Sequence, residues 1–190
     1  MGVDINSGLT GFVDSSGNPR IFYVGAPVGG VEYPLETSWN GSSWQTVQLY
    51  GGVEPGTALT GYLFNGNPSV YYIAVDGHVH EEFQVGSTWY NTDVTVASGA
   101  PVPISGSALV GYQFNSNGTV HFIANDLHIH QIWWNGSSWH TDDVTALAGA
   151  PNCDHGTSLT GCMFNGQPTI DYVAGDAYPP NVVEREQRAD

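Results

Sequence analysis

The stretch LTGYLFNGNPSVYYIAVDGHVHEEF, residues 59–83, decides the fold because it returns as LVGYQFNSNGTVHFIANDLHIHQIW at residues 109–133. The interval of fifty residues holds along the chain. Leu9, Leu59, Leu109 and Leu159 each open a Leu-Thr-Gly or Leu-Val-Gly triplet. Phe64, Phe114 and Phe164 keep the same spacing, as do Asp76, Asp126 and Asp176. WNGSSWQT (39–46) comes back as WNGSSWHT (134–141), with GSTWYNT (86–92) as a weaker middle copy. A fixed period of this length marks a repeat architecture, in which each unit buries its apolar face against the next.

Within one unit the pattern is that of strands. ALTGYLF (58–64), SVYYIAV (69–75), HVHEEFQV (78–85) and TWYNTDVTV (88–96) are short and rich in β-branched and aromatic residues. NGNP, DG and GS turns separate them. No segment before residue 180 holds a helical period for three turns. Four antiparallel strands in about fifty residues is the size of a propeller blade. The expectation is therefore all-β: one domain over 1–190, a small β-propeller of about four four-stranded blades. The blades would run 9–58, 59–108, 109–158, and 159–190 together with 1–8. In the fourth, LTGCMF and TIDYVAG supply two strands, and NVVEREQ (181–187) would be a third by analogy with GGVEYPL (29–35). The N-terminal GVDINSGLTG (2–11) could close a four-bladed ring; alternatively, a homodimer completes a larger one.

Composition narrows the partners. Among 190 residues there are 18 acidic side chains, no lysine, and only Arg20, Arg185 and Arg188, for a formal charge of −15. Nucleic acid and anionic membranes would be repelled. No apolar run approaches the roughly 18 residues of a membrane span, and residues 1–8 lack the basic-then-apolar pattern of a signal peptide. The compartment stays open, as does the redox state of Cys153 and Cys162. Asn40, Asn117 and Asn135 begin N-x-S/T triplets that matter only in a secreted protein. Cationic or neutral partners, such as glycans or a neutral small molecule, are compatible with this charge.

The pattern GHVHE…W…DVT…GAP…G…L-x-G-Y-x-F resembles the PLL-like β-propeller lectins and the related fungal fucose-specific lectins. The resemblance implies blades around a central channel, with sugars held in shallow pockets between neighbours. The fucose-specific group uses an arginine in each pocket. No repeated position here holds arginine, so the resemblance does not extend to fucose specificity.

The paired histidines are the most distinctive candidates. Residues i and i+2 of a strand share a face, so His78 with His80, and His128 with His130, should present two imidazoles side by side. One reading is a pocket wall, with Glu81 and His140 as polar contacts and Trp44, Trp89 and Trp139 as stacking platforms for a sugar face. A second uses His78, His80, His128 and His130 as ligands for a divalent transition metal, with Asp76 or Glu81 as a third donor. A third is structural, the histidines tying loops and the tryptophans packing blades; Trp39 and Trp134, beside their NGSS turns, suit it. Asp76, Asp126 and Asp176 read as turn-formers. Units one and four lack the histidine pair, which points to a ligand pocket near the junction of blades two and three. An enzyme is the alternative: a lyase, isomerase or metal-assisted hydrolase using histidines of blades two and three, with His121, or His140 beside Asp142 and Asp143, as unreplicated acid–base candidates.

Overall fold

The computed structural model describes residues 8–26 and 29–175. Strands β1 (Leu9–Val13), β2 (Pro19–Val24), β3 (Pro34–Trp39) and β4 (Trp44–Gln48) form the first antiparallel sheet, ordered as in the chain. The second comprises β5 (Leu59–Phe64), β6 (Asn67–Ile73), β7 (Val79–Val85) and β8 (Thr88–Asp93), followed by a short helix α1 (Val94–Ser98). The third comprises β9 (Leu109–Phe114), β10 (Asn117–Ile123), β11 (Ile129–Trp134) and β12 (Trp139–Asp143), followed by α2 (Val144–Ala148). A two-stranded sheet, β13 (Thr160–Phe164) with β14 (Gln167–Asp171), begins the fourth unit. The all-β, four-strand-per-unit expectation is met in three units. Residues 2–7 and 181–187, on which the two closure schemes rest, lie outside the described residues. Among the described residues, no helix is long and apolar enough to cross a membrane.

The first strands of successive units lie side by side, and the Leu-x-Gly triplets explain how. A Cβ placed on Gly111 would stand 2.9 Å from Tyr62 Cε1 and 3.1 Å from Thr60 Cγ2. Glycine therefore lets β9 approach β5 closely enough for Gly111 N–H to donate to Thr60 Oγ1 at 2.9 Å. The core sits between sheets. Phe22, Val24, Val53, Val70 and Tyr72 fill the first junction; Tyr71, Ile73, Val120, Phe122 and Ile132 fill the second. Each fully buried side chain of this kind contributes about 1.5–3 kcal/mol.

Two local readings change. The strand expected over 88–96 stops at Asp93, because Asp93 caps a helix: its Oδ1 accepts from Val96 N–H at 2.9 Å, and Gly99 at φ 71° ends the turn. Asp143 and Gly149 repeat the device around α2. In unit one the third strand starts at Pro34, after a turn with Gly29 and Gly30 at positive φ, not within residues 29–33. The pairing Tyr23↔Leu35 matches Tyr72↔His80, so Leu35 holds the His80 position and Glu36 that of Glu81.

Candidate functional site

Neighbouring blades enclose two equivalent cavities. In each, the floor comes from the second and third strands of one blade, and a wall comes from the last hairpin of the next. Between blades one and two, the floor is Arg20 and Glu36 and the wall is Gln84 and Trp89, around about 440 Å³. Between blades two and three, the floor is Ser69 and Glu81 and the wall is Trp134 and Trp139, around about 330 Å³. The correspondence follows from register: Arg20 and Ser69 face Phe12 and Tyr62 across their hairpins, and Gln84↔Trp89 matches Trp134↔Trp139.

The first floor carries its own cation. Arg20 Nε lies 3.0 Å from Glu36 Oε1, and Arg20 Nη1 donates to Gln84 Oε1 at 2.7 Å, a bond that spans the junction. Burial pushes the Glu36 carboxyl up, against the opposing pull of Arg20 and hydrogen bonds from Ser38 and Trp89. Trp89 thus does two things here: its indole reaches the carboxylate, and its ring meets Phe22 edge-on at 6.0 Å.

The second floor has no such cation. Glu81 is 4% exposed, and burial pushes its carboxyl up to about 7 despite hydrogen bonds from Tyr71 and Ser69. The Tyr71 hydroxyl donates to Glu81 Oε1 at 2.8 Å. Tyr62 Oη lies 3.0 Å from Tyr71 Oη and 3.0 Å from the Thr119 carbonyl oxygen, which extends the network to the third blade. Phe64, Phe83, Trp134 and Trp139 make the cavity largely aromatic.

The histidine pairs lie among the residues lining neither cavity. They tie the hairpin turn to the helix cap. Asp126 Oδ1 accepts from His128 N–H at 3.0 Å and Asp126 Oδ2 from His130 Nε2 at 3.0 Å, while His128 Nδ1 meets Asp143 Oδ2 at 2.8 Å. Blade two repeats this: Asp76 serves His78 N–H at 3.0 Å and His80 Nε2 at 3.2 Å, and His78 Nδ1 meets Asp93 Oδ2 at 2.8 Å. The turn-forming role of Asp76 and Asp126 is seen directly. The hydrogen bond to Asp93 raises His78, and that to Asp143 raises His128, above the usual histidine range. Partial burial works to raise Asp126, but hydrogen bonds from His128 and His130 outweigh it and leave the carboxyl low. Side by side on their strand, His128 and His130 have ring centroids 6.4 Å apart. Donor atoms of Asp126, His128, His130 and Asp143 lie within 4.8 Å of one another, as do those of Asp76, His80 and Asp93. Donors that could hold a metal thus form one cluster per blade, with Asp93 and Asp143 in place of Glu81 and without His78.

The remaining candidates scatter. Trp44 is 50% exposed on the outer hairpin of blade one, with Trp39 edge-on at 5.7 Å. His140 stacks on Trp133 at 4.7 Å, its Nε2 beside Ser138 Oγ at 2.9 Å. His121 is buried and stacks on Tyr112 at 5.2 Å. Cys153 is a buried free thiol and Cys162 an exposed one. Of the expected pocket residues, Glu81, Trp89 and Trp139 line the cavities; Arg20, Glu36, Phe83 and Trp134 are cavity residues the sequence reading passed over.

No family model matches the chain, and no curated protein matches it. Solved structures do. The six-bladed fucose lectin of Aleuria aurantia aligns with a TM-score of 0.69 at 20% identity, covering 88% of this chain and 55% of that one. AofleA from Arthrobotrys oligospora aligns at 0.65 and 15% identity, over 88% of this chain and 50% of its own. A fucose lectin from Kordia zhangzhouensis aligns at 0.51 and 21% identity, over 71% of this chain and 97% of its own. The chain thus spans about half the length of the Aleuria aurantia and Arthrobotrys oligospora proteins, and over that span its blades have the β-propeller fold of the Aleuria aurantia lectin.

Proposed function

We propose that the chain is a carbohydrate-binding, lectin-like protein whose sugar sites are the two cavities between complete blades. The observation that carries this reading is the repetition of one chemistry at both junctions: a buried carboxylate from one blade opposite a tryptophan from the next. A carboxylate accepts from sugar hydroxyls, and an indole covers the apolar face of a pyranose ring. The neighbours from Aleuria aurantia and Kordia zhangzhouensis are described as fucose-binding lectins. These two together with the lectin SapL1 are described in complex with methyl-fucoside, which makes α-methyl-fucoside the first probe. At the first junction Arg20 adds a charge-assisted donor beside Glu36. Two weak sites on one rigid frame suit avidity for multivalent glycans. The histidine pairs, which hold the turn that starts each third strand, support the pockets from outside. A homodimer that completes a larger ring belongs to the same reading, and mass in solution tests it. The binding itself is tested by calorimetric titration of α-methyl-fucoside into the protein and into Trp89→Ala. Saturable heat that disappears in the variant, with the sheet signal retained, supports the first junction as a sugar site. A glycan array and a titration that both show nothing remove the reading.

A further inference from the structure

We infer that the cavity between blades two and three selects a sugar bearing a protonated amine, whereas the cavity between blades one and two takes a neutral sugar. The inference rests on the reading of both cavities as sugar sites and adds the ligand class of the second. It comes from three coordinated replacements at equivalent positions. Where the first junction has Arg20, Ser38 and Gln84, the second has Ser69, Phe83 and Trp134. The acid on the floor is kept, as Glu36 and then Glu81.

Removing the arginine alone would leave a buried carboxyl that holds its proton until a cation is supplied, because ionising it without a counter-charge is costly. Among the residues lining the second cavity there is no lysine, arginine or histidine. Arg20, the one arginine among the described residues, is committed to Glu36 and Gln84. The ligand is then the natural source of positive charge. The other two replacements fit that source, since Phe83 and Trp134 join Phe64 and Trp139 as four aromatic residues lining the cavity, and aromatic rings attract an ammonium. Asn65, Asn67 and Thr92 leave hydrogen-bonding groups at the same cavity for the hydroxyls of a sugar ring. The net charge of −15 would also draw a cationic ligand toward the protein. Burial holds Glu81 near neutrality in pH, so an arriving ammonium stabilises its ionised form.

The test compares methyl glucosaminide with methyl glucoside at pH 7, two sugars that differ by an amine in place of a hydroxyl. Indole N–H resonances report where each binds, with Trp89→Phe and Trp139→Phe assigning the two junctions. The expected result is that the amine shifts Trp139 with an affinity about tenfold higher than the glucoside. Glu81→Gln should abolish that preference; it should also fold, because the third unit already carries buried Gln131 at this position. Ser69→Arg, which rebuilds the first junction's ion pair, should abolish it too. A preference that survives Glu81→Gln would reflect bulk charge attraction and overturns the inference. So does a neutral sugar that shifts Trp139 as strongly as the amine does, or an amine that leaves Trp139 unmoved while a neutral sugar shifts Trp89; both leave the lectin reading standing. If no sugar, charged or neutral, shifts either tryptophan, the lectin reading fails and the inference fails with it.

Discussion

The two complete junctions differ mainly in whether the buried acid has a positively charged partner. At the first, Arg20 reaches Glu36 at 3.0 Å and bridges to the next blade through Gln84 at 2.7 Å. At the second, Glu81 has only neutral donors, Tyr71 and Ser69, and its carboxyl rises to about 7 as burial penalises the charge. Backbone register, sheet order and the crowding of first strands are shared. The repeat therefore supplies the scaffold, and side-chain exchange at a few facing positions sets the electrostatics of each cavity.

The sharpest way to break this contrast is Arg20→Ala. The substitution strands Glu36, 2% exposed, beside nothing that carries positive charge, and should cost about 3 kcal/mol in urea denaturation at pH 7. Adding Glu36→Gln should recover most of that loss, because the orphaned charge is gone. A loss below about 1 kcal/mol for Arg20→Ala would mean that water already screens the pair, and the two junctions would then be electrically alike.

At the second junction the same logic gives a pH dependence. Glu81 has a folded value near 7 against an ordinary 4.5, so between these the folded state holds a proton that the unfolded state releases. The Glu81 contribution to stability should fall as pH rises from about 4.5 to about 7, by at most roughly 3 kcal/mol, and then level off. Glu82 behaves the same way for the same dominant reason, burial, so Glu81→Gln should roughly halve the slope rather than remove it. Urea midpoints at four or five pH values settle this. A slope unchanged in Glu81→Gln would show that this carboxyl stays ionised in the folded state.

A smaller effect separates blades two and three from blade one, which lacks the histidine tie. His128 is raised by its bond to Asp143, so the pair stabilises fully below the ordinary histidine range, near 6.5, and the contribution is lost as pH climbs through the raised value. His128→Gln should therefore cost more at pH 6 than at pH 8, by about 0.5 kcal/mol given its partial exposure. A chelator adds a second reading of the same cluster. Hydrogen bonds alone leave the thermal midpoint unmoved by chelation; a drop that His128→Gln eliminates would place a cation among Asp126, His128, His130 and Asp143.

Much of this was legible in the sequence, and the limits have physical causes. The fifty-residue period and the two-residue alternation exposed the blades, because each unit must pack on its neighbours and so repeats its apolar positions. Glu81, Trp89 and Trp139 were visible because their units are close copies. Arg20 and Glu36 were not. The first hairpin of unit one is a residue longer than that of unit two, and its second turn is longer by four, so neither residue falls at the fifty-residue interval from its counterpart. Trp134 was set aside as a turn-side residue because periodicity says which side chains share a face, and not which blade that face meets. For the histidines the sequence showed the shared strand face but not the partners: the carboxylates of Asp93 and Asp143 that engage His78 and His128 also cap helices and come from another strand.

The smallest expected effect concerns Trp44, the counterpart of Trp89 and Trp139 on the outer hairpin of blade one. It is 50% exposed, and neither cavity includes it. Trp44→Ala should change stability by no more than about 0.5 kcal/mol, since little is unburied. It should also leave sugar stoichiometry at the two junctions unchanged, as read by calorimetry. If the two-junction comparison is incomplete, this is where it breaks: a lost equivalent of sugar in Trp44→Ala, together with a mass in solution of twice the chain, would mean that a second copy supplies a floor beneath Trp44. The third cavity would then join the comparison, with its acid drawn from another subunit.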